Sequence, residues 1–266
     1  MFSMQIQKKL FNKYFRTRWI VVVVVSLLFG IGVSAYIAIV SDLPPTESIA
    51  FFTPPVTTKV FDDAGDIIYE FFIERRELTS IEEVPPYLKE GLICIEDKNF
   101  YKHWGVDLFA LIRSLITNLF HMRVVTGAST ITMQLARNIF LTQEVTLLRK
   151  LKEMAVAVRL ERAYTKDEIL EKYLNQINFG QGRYGVATAS KYYFDKDISE
   201  LSLTECALLI AIPKGPEVFS PYKYPERTKA RRDFILKKMA ENNIISEDVY
   251  GAAVEESLHV VEQKGG

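Results

Sequence analysis

Net charge is what this chain lacks first: its 266 residues carry 33 Lys+Arg against 33 Asp+Glu. A nucleic-acid binder needs a clear basic excess, so no nucleic-acid partner is expected. Cysteine is nearly absent, with two residues, Cys94 and Cys206, both in apolar helical contexts (L-I-C-I and E-C-A-L-L). Two buried free thiols are therefore expected in place of a disulfide. There is no internal repeat and no low-complexity tract, which leaves one fairly large domain with appendages. The sharpest local absence runs from Trp19 to Val40, where no residue is charged. As a helix, that run is long enough to span a hydrocarbon core ~30 Å thick. No small-x-small cleavage site follows it cleanly before the D-L-P-P at Asp42 to Pro45, so an uncleaved anchor over residues 19–41 is expected instead of a signal peptide. Lys8, Lys9, Lys13, Arg16 and Arg18 precede the run, while Asp42 and Glu47 follow it. By the positive-inside rule, residues 1–18 form a cytoplasmic tail and the rest of the chain lies on the outer face of the cell membrane.

What is present beyond the anchor begins with proline. Pro44, Pro45, Pro54 and Pro55 suit a stiff stalk, and the segments Thr57 to Phe61 and Ile67 to Ile73, around the turn residues Asp62 to Asp66, suit a β-hairpin. Residues 42–84 are read as stalk and hairpin. From Pro85 onward the pattern is helical, with capping boxes at Thr165–Glu168 and Ser202–Glu205, Pro225 at a first helical position and Ser246 before two acids. The apolar fraction of 48% is enough for a substantial core. The fold class is therefore mainly α, with a catalytic body over 85–266. Within it, Val106 to Val125 is apolar around most of its circumference. That suits either a central core helix or a helix lying in a membrane interface.

Polar chemistry is concentrated in a few segments. In E-D-K-N-F-Y-K-H-W-G, from Glu96 to Gly105, a carboxylate follows Leu92 to Ile95 where a core-facing helix would continue. A carboxylate at the edge of a core suits general acid or base work, and a solvated acidic pair at a helix end is the plainer alternative. In G-A-S-T-I-T-M-Q-L-A-R-N, from Gly127 to Asn138, Ser129 suits an N-cap. Thr130, Gln134 and Arg137 then share one helix face with Asn138 beside them, opposite Ile131, Leu135 and Ile139. Such a helix start suits a phosphate or a polyol, and equally a solvated face. In L-R-K-L-K-E, Arg149, Lys150 and Glu153 share a face, as a surface ion-pair cluster or as a cationic clamp for pyrophosphate. I-L-E-K-Y-L-N puts Glu171 and Asn175 on one face, F-G-Q-G-R-Y-G reads as tight turning, and L-L-I-A-I-P-K-G-P reads as structural.

Taken in order, the motifs at Glu96, Gly127, Arg149 and Ile169 and the L-L-I-A-I-P-K-G-P segment resemble the family 51 glycosyltransferases, the peptidoglycan polymerases, from about residue 57 to the end. The resemblance implies a lysozyme-like helical domain that polymerises lipid II into β-1,4 glycan, inverting the donor anomeric carbon and releasing undecaprenyl pyrophosphate. It makes Glu96 the general base and Glu153 the second acidic residue. It makes Arg149, Lys150 and Arg137 the leaving-group cations, Thr130, Gln134 and Asn138 donor-side contacts, and Asp97, Phe100 and His103 parts of the substrate-facing first motif. It implies no organic cofactor and leaves a divalent cation, Mg or Mn, open at the pyrophosphate. The implied partners are lipid II, the growing glycan, the lipid bilayer and other cell-wall synthesis proteins. Met133 departs from the family's usual glutamine, which puts one substrate hydrogen bond in question, and Arg137 stands where lysine is common. No S-x-x-K signature follows. The chain is read as a monofunctional enzyme or as the front of a bifunctional penicillin-binding protein, and its end at Lys264-Gly265-Gly266 leaves both open. A membrane-anchored muramidase and a non-catalytic wall-assembly anchor are the alternatives.

Overall fold

The structure is a computed structural model that describes residues 18–34, 37–38, 41, 43–50, 52, 58–63, 67–71, 75–123, 127–140 and 146–262. Two compact units emerge, Met1–Leu43 and Pro44–Gly266. In the first, residues 18–34 form a helix, α1, whose apolar side chains are exposed. Among the described residues no helix is long and apolar enough to cross a membrane. The expected cytoplasmic tail, Arg18 apart, lies outside the described residues, as do parts of the run from Trp19 to Val40.

The second unit is mainly helical. It contains α2 (Thr46–Ala50), α3 (Pro86–Glu96), α4 (Leu108–His121), α5 (Ile131–Phe140), α6 (Leu147–Ala163), α7 (Lys166–Gln176), α8 (Val186–Phe194), α9 (Leu203–Ala211), α10 (Pro225–Glu241) and α11 (Glu247–Glu255). The start signals read from the sequence hold: the capping boxes at Thr165 and Ser202 are present, Pro225 opens α10 and Ser246 caps α11. The hairpin is present as β1 (Thr58–Phe61) paired antiparallel with β2 (Ile67–Phe71), with a bulge at Val60/Phe61. Its turn, except Asp62 and Asp63, and the flanking Thr57 and Ile73 lie outside the described residues. A second pairing, parallel, joins β3 (Arg75–Arg76) to β4 (Arg183–Tyr184).

At the centre is α9, buried from Thr204 to Ala211, with α3 and α10 packed against it. Gly91 permits that approach, since a Cβ there would sit 2.7 Å from Ile210 Cδ1. A second layer packs α5 between α6 and α7. Both thiols are free, Cys206 buried and Cys94 half-buried, so the expectation of two buried thiols holds for Cys206 only.

The stalk reading is corrected where it can be seen. Pro44 and Pro45 lead directly into α2, and Ile49 is fully buried. Arg159 Nη1 donates to the Pro44 carbonyl at 2.8 Å, Tyr164 Oη to the Ile49 carbonyl at 2.7 Å and Lys172 Nζ to the Phe52 carbonyl at 3.4 Å, while Phe52 packs edge-on against Phe140. Proline favours an extended chain, but an apolar residue with a socket on α6 overrides that preference. Pro54 and Pro55 lie outside the described residues.

Helix α4 is not the core helix. Among its residues only Ser114 is buried, and Phe109 and Phe120 are 85% and 82% exposed. Its N-cap is Asp107, which accepts from Ala110 N and from Asn99 Nδ2, and these bonds hold its carboxyl below the usual range. The glutamate and asparagine of α7 singled out from the sequence are structural. Glu171 accepts from Ile81 N at 2.9 Å, and Asn175 pairs with both the N–H and the C=O of Thr79, fastening residues 79–81 to α7.

Candidate active site

Leu88 and Leu92 bury one face of α3, and Glu96 follows Leu92 by one turn at the helix end. The core face therefore runs out into a carboxylate, which sits half-buried in the wall of a cavity of about 330 Å³. Ile95, Gly127, Ser129, Gln134, Arg137, Tyr173, Pro213, Lys214 and Arg231 complete its lining. Among the described residues of that lining Glu96 is the only acid, against Arg137, Lys214 and Arg231, so they make the cavity electropositive with one carboxylate to accept a proton. Gln134 Nε2 donates to Glu96 Oε2 at 2.9 Å, and Tyr173 Oη donates to Gln134 Oε1 at 3.0 Å. Burial pushes the Tyr173 hydroxyl far up, reinforced by the Glu96 charge, so it stays protonated. Burial lowers Arg231, and Glu96 partly offsets that.

Of the residues singled out from the sequence, Glu96, Gln134 and Arg137 meet in this cavity. Four others lie beneath it. Asp97 is buried and accepts from His103 Nε2 at 2.9 Å and from Ile131 N at 3.0 Å. His103 Nδ1 accepts from Gly105 N at 3.1 Å, which leaves Nε2 as the nitrogen that donates to Asp97. Thr130 Oγ1 donates to the Gly105 carbonyl at 2.6 Å and accepts from Met133 N at 3.1 Å. Thr130, not Ser129, therefore caps α5, and the N–H groups of Ile131 and Met133 are spent on Asp97 and Thr130. Two of the donors expected to hold an anion at this helix start are thereby taken by the protein's own oxygens. Phe100 is fully buried against Tyr101 and His103, with Lys166 Nζ over its ring, so it packs beneath the first motif and does not face the cavity. Asn138 is exposed outside the lining.

Met133 is fully buried beside Val106 and Ala157. The departure at this position touches the core, while the neighbouring Gln134 is the one that faces the cavity.

Gly105 is where the two motifs and α6 converge. Its φ is +100°, and a Cβ would lie 2.9 Å from the Ala157 carbonyl oxygen and 3.0 Å from Glu161 Cγ. Gly105→Ala is expected to destabilise the protein by about 2–4 kcal/mol, combining backbone strain with overpacking. A shift in denaturation midpoint measures it, and an unchanged midpoint would contradict the close approach.

The cationic cluster stands one layer back. Glu153 is fully buried; one oxygen accepts from Arg149 Nη1 and the other from Lys150 Nζ at 2.8 Å. Lys150 Nζ also donates to Ser129 Oγ at 2.5 Å, and Ser129 lines the cavity. Glu153 and Glu96 thus do not flank one open space. The described residues offer no cluster of three carboxylate, imidazole or thiol groups suited to a metal, and both Glu153 oxygens are taken by cations.

Tyr173, Lys214 and Arg231 were not assigned from the sequence. Tyr173 sits inside I-L-E-K-Y-L-N on the buried face with Ile169 and Leu170, and half-buried Arg231 lies one turn from buried Thr228 and Ile235 on α10. A polar group on a buried helix face is the signal that marks both. Lys214 lies in the L-L-I-A-I-P-K-G-P segment, which reads as structural from the sequence.

The family description Transglycosylase matches residues 64–240. The chain is 43% identical over 242 residues to penicillin-binding protein 1A of Rickettsia bellii, covering 88% of this chain and 31% of that protein. It is 42% identical over 238 residues to penicillin-binding protein 1A of Aquifex aeolicus, covering 90% and 33%. With penicillin-binding protein 1A of Neisseria flavescens it shares 39% over 234 residues, covering 87% and 29%. The chain thus spans between 29% and 33% of the length of these relatives. A crystal structure of penicillin-binding protein 1A from Haemophilus influenzae aligns over 80% of this chain and 22% of that one, with 23% identity and a TM-score of 0.48.

Proposed function

This chain belongs to the Transglycosylase family, and we propose that it is a peptidoglycan glycosyltransferase that polymerises lipid II into β-1,4 glycan strands with release of undecaprenyl pyrophosphate. The observation that carries the reading is the cavity in which one carboxylate, Glu96, faces three cations, Arg137, Lys214 and Arg231. Glycosyl transfer from a pyrophosphate needs that asymmetry. A base takes the proton of the acceptor's 4-hydroxyl, whose oxygen attacks the anomeric carbon from the face opposite the leaving group and so inverts it. Pyrophosphate departs as an anion, so fixed positive charge matters more than a strong general acid. In this reading Glu96 is the base, Arg137 meets the leaving group, and Lys150, held by Glu153, orders Ser129 at the cavity edge. Arg149 keeps Glu153 in place beside it.

The exposed Phe109, Leu115, Leu119 and Phe120 of α4 support an interfacial reading of that helix, which would place the polymerising body at the bilayer carrying its substrate. We read the helical body as lysozyme-like and the apolar run over 19–41 as a single anchor with its N-terminus in the cytoplasm. A muramidase would want two carboxylates flanking one bond, and Glu153, fully buried and doubly paired, argues against that alternative. Purified protein given lipid II in detergent is expected to yield polymeric glycan. Release of reducing ends from finished peptidoglycan without polymer formation would overturn the assignment in favour of hydrolysis, and neither product would favour the non-catalytic anchor.

A further inference from the structure

Gln134 reads from the sequence as a contact to the donor, yet both ends of its amide are engaged by the protein. An ionised carboxylate only accepts hydrogen bonds, so the amide must turn its NH₂ toward Glu96, which it does at 2.9 Å from Oε2. Its carbonyl oxygen is thereby directed to Tyr173, which donates at 3.0 Å. The phenol cannot swing away: Tyr173 is 3% exposed on α7, among fully buried Ile169, Leu170 and Leu174. Met133 and Leu135 on either side of Gln134 are fully buried, which anchors this stretch of α5 in the core. The result is a chain of donors, Tyr173 to Gln134 to Glu96, that begins in the core and ends on the carboxylate in the cavity.

We propose that Tyr173 is a positioning residue for the general base, acting through Gln134 to hold Glu96 Oε2 and leave Oε1 to receive the acceptor's hydroxyl proton. The proposal rests on the polymerase reading above. Without the phenol, the amide oxygen loses its donor. The amide can then flip and set oxygen against the carboxylate, or rotate away and free Glu96 to turn at the helix end. Either change misplaces the proton acceptor without removing it. Gln134 in this account contacts the base and not the sugar, so its loss is felt in turnover and not in substrate affinity.

The test is steady-state polymerisation of lipid II in detergent by Tyr173→Phe, Gln134→Leu and the double variant, with thermal melts alongside. Each single change is expected to lower kcat roughly 10- to 100-fold, the scale of a misplacement of about 1 Å, with KM within about threefold of the parent. The double variant is expected to match Gln134→Leu within about twofold, because the phenol has nothing left to act through. Three results would overturn the proposal. One is kcat of Tyr173→Phe within about twofold of the parent. A second is a rise in KM for Gln134→Leu at unchanged kcat, the mark of a substrate contact. The third is a full repeat of the tyrosine penalty in the Gln134→Leu background, the mark of a packing role that ignores the amide. Should Tyr173→Phe melt early, Gln134→Leu alone still decides between base support and substrate contact by the kcat-against-KM split. Glu96→Gln separates the two levels: retained activity there defeats the base itself, whereas an inactive Glu96→Gln beside an unimpaired Tyr173→Phe defeats only the positioning role.

Discussion

Glu96→Gln is expected to reduce glycan polymerisation by about 10²- to 10⁴-fold, the range a positioned general base contributes, and to leave the fold intact. The substitution keeps the shape of the side chain at the end of α3. Its amide oxygen can still accept from Gln134 Nε2, so the link to Tyr173 need not break. The half-buried position means that a neutral amide there costs little in packing. On the proposed reading, what is lost is the group that takes a proton, and among the described residues the cavity lining holds no other carboxylate to replace it. Polymer formation is followed with labelled lipid II, with a melting curve as control. Activity within a few-fold of the parent in a folded variant would mean that the hydroxyl is deprotonated by something other than Glu96.

Replacing Arg149 and Lys150 together by methionine is expected to destabilise the protein by about 3–5 kcal/mol, because it strands a buried carboxylate without a counter-charge. The Glu153 side chain is 1% exposed, while those of Arg149 and Lys150 are 15% and 33% exposed. That asymmetry fixes the order of effects. Glu153→Gln leaves two cations that can turn partly toward water, so its cost is expected to be smaller, about 1–3 kcal/mol. Denaturation midpoints of the two variants measure the difference. If Glu153→Gln unfolded as readily as the double methionine variant, the unpaired cations would cost as much as the stranded acid, and the difference in exposure would not set the order. Both variants are also expected to polymerise poorly, since Lys150 no longer orders Ser129 at the cavity edge.

Much of the fold was legible because its signals are local. Caps at Thr165, Ser202 and Ser246 act within one turn, and the hydrophobic spacing of α3, α5 and α7 needs only the chain's own geometry. Glu96 was legible as well, since a carboxylate after Leu92 to Ile95 interrupts an apolar face. The misreadings share one cause. Ser129 was taken for the α5 cap because it is one residue from the true one, and the competition between them was settled by the Gly105 carbonyl, 25 residues away from Thr130. The proline stalk was taken as extended because a distant socket for Ile49 has no local signature. Helix α4 stayed ambiguous because an all-round apolar surface says that a helix avoids water, but not what covers it.

The chain by itself determined the helices, their caps, the family and the residue types of the site: a carboxylate at a helix end, an amide and an arginine on one face of α5, and a cation pair beside a glutamate on α6. Periodicity and short-range hydrogen bonding suffice for those. Only tertiary packing decided which of them share a space. It brought Glu96 to Gln134 across 38 residues and Gln134 to Tyr173 across 39, and it delivered Lys214 and Arg231 to the same cavity. It also withdrew Asp97, His103, Thr130 and Glu153 beneath the surface. The physical reason is that spacing sets the direction of a side chain from its own helix, whereas its neighbours depend on how helices far apart in the chain bury their apolar faces together.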